Sequence, residues 1–189
     1  MRSITPSRER GVALVETAIV LPLLLMLAIG LAEIGFLVID QMAIANAARE
    51  GARVGAAAGK YTEGSITADT LILRSVEQAA CNLEHGRLLS VTIYRADDDG
   101  ELPSNPSLIN VYTAPVSGNL NCSAAGTTSL SCDNGCPWTP SSRRNVDPFD
   151  DLGVLVEFEH HPVTGIFPFH SPFTLTDSAV MRIEPNTRG

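Results

Sequence analysis

An α+β fold is expected for this chain: a long N-terminal apolar helix, then a body in which a second helix precedes a small antiparallel sheet. Three observations predict it. Residues 12–39 form an almost unbroken aliphatic run, residues 66–85 keep an approximate helical stripe, and the rest carries short alternating stretches separated by turn residues. Helix followed by consecutive strands is the α+β order.

The composition sets the frame. At 189 residues there is room for one ordinary domain plus appendages. Hydrophobic residues make up 44% and aromatics 5%, so the apolar excess is aliphatic, and it is concentrated before residue 60. Charged residues are 18%, below the roughly 25% of an average soluble domain. The net charge is −8, from 13 basic and 21 acidic residues, and an acidic chain without a basic stripe predicts no nucleic-acid partner. One basic concentration exists, Arg2, Arg8 and Arg10 beside Glu9; taking these away leaves 10 basic and 20 acidic residues.

Between Thr17 and Ala32 no residue is charged, and Glu33 alone interrupts the run before Asp40. A helix of about 20 such residues spans a hydrocarbon core, so residues 12–39 are expected to cross a membrane. The arginines before it place residues 1–11 in the cytoplasm as a basic leader, by the positive-inside rule. Two other readings stand beside this one. Small residues at Gly30 and Ala32 before Glu33 suit a cleaved signal peptide, although the run exceeds the usual 7–15 residues. A plain uncleaved anchor explains the run but leaves Glu16 inside it, where a carboxylate costs up to about 3 kcal/mol and is usually partnered.

Gly11 and Glu16 make the segment specific. Arg10-Gly11-Val12-Ala13-Leu14-Val15-Glu16 is a basic leader ending in Gly, four apolar residues and a glutamate. This resembles a prepilin peptidase site. The order that follows, Glu16, a mid-span Pro22, a Leu-rich run, Gly30, Glu33 and Gly35, then Ala47, Arg49, Gly51, Ala52 and Arg53, is similar to that of the TadE-like family of minor pseudopilins in tight-adherence (Flp) pilus systems. Ser178-Ala179-Val180-Met181-Arg182-Ile183-Glu184-Pro185 resembles the family's terminal strand. Thr17 departs from the Tyr or Phe usual after the glutamate. The resemblance implies cleavage after Gly11 by a prepilin peptidase, which frees the amino group of Val12. Glu16 would then pair with the amino terminus of a neighbouring subunit. It also implies a non-enzymatic structural role without a cofactor, other pseudopilins and pilus assembly proteins as partners, and a single-pass protein of the bacterial inner membrane whose C-terminal part is periplasmic or extracellular. The rival expectation is an anchored exported binding module with no pilus role.

Residues 40–60 continue the helix. Ala47, Gly51, Gly55 and Gly59 recur every four residues and lay a small-residue row along one face. Such rows admit close helix packing, and another subunit is the expected partner. Arg49 and Arg53 are read as headgroup contacts. Glu33 is open between an intersubunit pair and a place near the outer interface.

Residues 61–189 form the expected exported α+β domain. A turn at 61–65 leads to a helix over 66–85, capped by Ser65 or Thr67. Strands are expected at 89–94, 108–113, 154–159 and 175–184, with a turn at Asp97-Asp98-Asp99-Gly100. Residues 115–150 read as a long loop pinned by disulfide. Cys81, Cys122, Cys132 and Cys136 form an even set with three possible connectivities, consistent with export. His160, His161 and His170 are read as surface histidines, since no helix spaces them as zinc ligands. Asp97 to Glu101 lacks the length of a calcium loop.

Overall fold

A computed structural model describes residues 8–81, 83, 85–115, 120, 122, 128–165 and 170–185, the side chains of 8–10 excepted. Helix α1, Arg8–Ala58, runs without interruption for 51 residues, or roughly 77 Å at 1.5 Å per residue. Pro22 lies inside it. Two regimes divide α1. Residues 11–28 are exposed all round, whereas from Glu33 onward one face is buried at Glu33, Asp40, Ile44, Ala47, Ala48, Gly51, Ala52, Gly55 and Ala56. That three-and-four spacing is the stripe of a helix with one partnered side.

The body that follows α1 supplies the partner. Strands β1 (Thr62–Glu63) and β2 (Ile66–Thr67) make a minimal hairpin where a plain turn was expected. Helix α2, Ala68–Ala80, is shorter than the 66–85 span its apolar stripe suggested. Thr67 caps it, its hydroxyl accepting from the Thr70 amide in a capping box. Five antiparallel strands follow: β3 (Gly86–Arg95), β4 (Ile109–Thr113), β5 (Ser131–Cys132), β6 (Asp151–His160) and β7 (Phe173–Arg182). Their order across the sheet is β5-β4-β3-β6-β7. The α+β expectation therefore holds, and β5 lies in the stretch expected to be all loop.

Both helices cover one face of this sheet. Val91 and Ile93 of β3 sit opposite Val156 and Val154 of β6, and all four are buried with Ile44, Ala48 and Ala52 of α1 and Ile72, Leu73 and Val76 of α2. A bulge between Leu88 and Ser90 shifts the register by one residue. Alternation alone would turn Leu89 inward with Val91 and Ile93; the extra residue turns Leu88 inward instead, against Phe158. Strand β6 descends along α1, with Leu152 and Val154 beside Gly55 and Gly51 and His160 beside Asp40. Strand β7 returns, ending where the Glu184 amide donates to the Ala56 carbonyl. The body thus has one end near Glu33 and another near Gly59.

Candidate functional site

Where α1 leaves its bare segment, a set of polar contacts fixes the body to it. The Glu33 carboxylate is buried and accepts from the Val163 amide at 3.2 Å and from the amide and hydroxyl of Thr164, each at 2.5 Å. Two turns on, Asp40 meets His160 Nδ1 at 2.6 Å, both side chains buried. The Gln41 amide donates to the Thr176 carbonyl at 3.2 Å and to Asp177 at 3.1 Å. Phe36 stacks on His85 with ring centroids 4.7 Å apart. Glu33 and Asp40 are seven apart, so they share a helix face. Each therefore receives a partner from β6 or the segment after it. Beside them, Glu159 takes both His161 (2.7 Å) and Arg87 (3.0 Å), and these two hydrogen bonds, that of His161 foremost, hold its carboxyl below the ordinary value.

The N-terminal half of α1 has no such cover. Among the described residues nothing outside the helix approaches a Cβ placed on Gly11, and Val12 is 56% exposed. Glu16 is exposed on the same bare cylinder. Thr17 turns its hydroxyl back to the Ala13 carbonyl at 2.8 Å, which satisfies it within the helix. Gly11, Val12 and Glu16 are thereby accessible together along one stretch of helix. The side chains of Arg2, Arg8, Glu9 and Arg10, which form the basic leader, lie outside the described residues.

The small-residue row corrects one expectation. Ala47, Gly51, Gly55 and Gly59 do not leave a groove for a second subunit; the chain's own body fills it. A Cβ on Gly51 would lie 2.9 Å from Val76 Cγ2, and one on Gly55 would lie 2.8 Å from both Ile72 Cδ1 and Leu152 Cδ2. Gly59 closes the helix with φ +50 against Ile183. Arg53 likewise turns to Glu50 at 2.6 Å on an exposed face.

Cys81 is bonded to Cys122, and Cys132 to Cys136. The first ties the end of α2 to the long loop, of which residues 116–119, 121 and 123–127 are outside the described set. A buried polar network organises the rest of that loop. Asp69, at the start of α2, accepts from Tyr112 (2.7 Å) and Asn110 (3.0 Å) and pairs with Arg143, whose guanidinium lies 4.5 Å over the Trp138 ring. Asn110 closes the circuit with the backbone of Trp138 in both directions, each at 2.8 Å. Burial, and next the Asp69 carboxylate, push the Tyr112 hydroxyl well above its ordinary value.

The histidine expectation is corrected in part: His160 is 1% exposed and bonded to Asp40, while His161 lies at the surface beside Glu159. Among the described residues no three His, Cys, Asp or Glu side chains gather as a metal site would need. The sequence marks Glu33 and Asp40 as the acids that bound the second half of the apolar run and names no partner for either. Their shared face was readable from the seven-residue spacing; that His160, Val163 and Thr164 would meet it was not.

A helix long and apolar enough to cross a membrane, bearing a disulfide-bonded helix-and-sheet body on its distal part, defines the architecture of a single-pass anchored protein. The family model described as TadE-like protein matches residues 11–53, so the N-terminal segment is TadE-like. The match begins at Gly11 and ends within the small-residue row, the part of α1 that includes both the bare segment and its first contacts with the body. No curated protein and no solved structure matches the chain.

Proposed function

We propose that the chain is a TadE-like minor pseudopilin, a single-pass structural and assembly protein of a tight-adherence (Flp) pilus or a related secretion system. The observation that carries this reading is the division of α1. No residue from 12 to 32 is buried, Glu33 is the first that is, and the TadE-like match covers that boundary. Those twenty-one residues rise about 31 Å, the thickness of a hydrocarbon core of about 30 Å. The span accordingly ends near Ala32 rather than Ile39, with Glu33 and Asp40 belonging to the exported body. Arg49 then stands about 25 Å beyond the span, too far for the headgroup contact read from the sequence.

The arginines before residue 12 support a cytoplasmic N-terminus in the inner membrane, and two disulfides support an oxidising compartment for the body. In this setting a prepilin peptidase cuts after Gly11, whose α-carbon no other described element crowds. The new ammonium on Val12 and the Glu16 carboxylate lie about 6 Å apart along the axis, close to the inner surface. Pairing between subunits offsets the cost of holding Glu16 in the span, and the bare cylinder leaves room for that neighbour. Other pseudopilins are the partners on this reading.

The test is Glu16→Gln in a host that makes the fibre. The processed mass should be unchanged while surface fibres fall to background. Wild-type fibre numbers with E16Q would overturn the assembly role and favour the anchored binding module.

A further inference from the structure

We propose that the membrane-proximal end of the exported body is itself a lipid-contact surface, seated on the headgroup and acyl boundary of the bilayer that α1 crosses. The inference rests on the span reading above and goes beyond it, since an anchored body could equally stand clear of the surface on an extended stalk.

Depth is set by Glu33. It is the first residue after the bare segment, so its carboxylate sits at the outer edge of the hydrocarbon. The amides of Val163 and Thr164 are bonded to that carboxylate at 3.2 and 2.5 Å and must share its depth. Val163 is 52% exposed there, and Phe173, opposite His160 at the start of β7, is 37% exposed. These side chains give the end of the body an apolar edge at the depth where α1, with Ile34 exposed, leaves the hydrocarbon. Above the edge stand Arg87 and His161, partly exposed around Glu159, where phosphate groups would lie. The opposite end of the body is acidic: Glu63, Asp97, Asp98, Asp99, Glu101 and Asp147 are all exposed and outnumber the exposed Lys60 and Arg182. An apolar end against the bilayer, with the exposed acids of the far end away from it, is the orientation an anionic membrane favours. The lipid of the same bilayer is therefore the occupant, already present at the required depth.

The full chain is reconstituted into phosphatidylcholine and phosphatidylglycerol vesicles carrying brominated lipids, and single tryptophans are read after subtracting the signal of buried Trp138. Val163→Trp should be quenched most by bromines high on the acyl chain. Leu23→Trp, in the middle of the span, should be quenched most by bromines near the chain terminus. Val146→Trp, in the segment before β6 at the far end of the body, should not be quenched. An unquenched V163W beside a deeply quenched L23W overturns the lipid-contact surface and leaves the span intact, as does equal quenching of V146W and V163W. An unquenched L23W overturns the span itself. If V163W does not fold, Phe173→Trp reads the same boundary with the same expected and contrary outcomes.

Discussion

Asp40 and His160 lie 120 residues apart in sequence and meet at 2.6 Å with both side chains buried. His160→Ala leaves a carboxylate buried without its partner and should destabilise the body by about 3–5 kcal/mol. Replacing both residues by leucine should cost clearly less than H160A alone. Urea denaturation of the detergent-solubilised chain measures both; a cost near the roughly 0.5 kcal/mol of an ordinary surface substitution would show the pair is not a clamp. Tyr112 gives a pH dependence whose sign follows from its environment. Burial and Asp69 raise its folded value, so its contribution to stability is full below the unfolded tyrosine value of about 10 and is lost as pH rises beyond it. Alkaline absorbance titration should show Tyr112 and Tyr94, whose hydroxyl burial also raises, ionising only as the body unfolds, and Tyr112→Phe should remove part of that component. Tyr112 titrating reversibly alongside the exposed Tyr61 in the folded chain would contradict the buried network. Asp69 and Arg143 gave no signal in the sequence, because a buried pair between α2 and a loop has neither a period nor a fixed spacing.

Among the elements, α1 is the one whose two halves obey different rules. Its row of small residues was legible as a close-packing face from the four-residue spacing alone, but spacing does not say which surface is packed. The answer lies in Ile72 and Val76 of α2 and Leu152 and Val154 of β6, whose approach to α1 is set by the long-range pairing of β3 with β6. Gly55→Leu should overpack this seam and destabilise the body by about 3 kcal/mol. Unchanged thermal stability of G55L would mean the row is not an internal seam. The disulfides rank by loop size. Cys81–Cys122 closes a separation of 41 residues and Cys132–Cys136 one of 4, so chain entropy assigns them about 4 and about 2 kcal/mol. Paired serine substitutions at each bridge should reproduce that order in denaturation midpoints, and the reverse order would contradict it. Their pairing could not be chosen from four cysteines alone. Alternation found the long strands, whereas two-residue strands such as β5 are held by register with a neighbour and carry no pattern of their own.

At the scale of the whole molecule, the chain is a bare apolar rod that becomes a packed helix at Glu33, and the proposed function depends on what happens at the rod's beginning. Hydrophobicity made the rod legible, and the Gly11 to Glu16 spacing gave it a proposed purpose. The position of its outer end was not legible, because Ile34, Val38 and Ile39 are as apolar as the residues before them and only the burial of Glu33 and Asp40 marks the change. A cut before Glu33, as a signal peptidase would make, would sever the body from the rod; a cut after Gly11 keeps both and frees the Val12 amine beside Glu16. Mass analysis of the protein purified from its native host separates these states most directly. The account predicts a mature chain beginning at Val12, and retention of the leader in a Gly11→Leu variant. A mature chain beginning at Met1 or at Glu33 would contradict it.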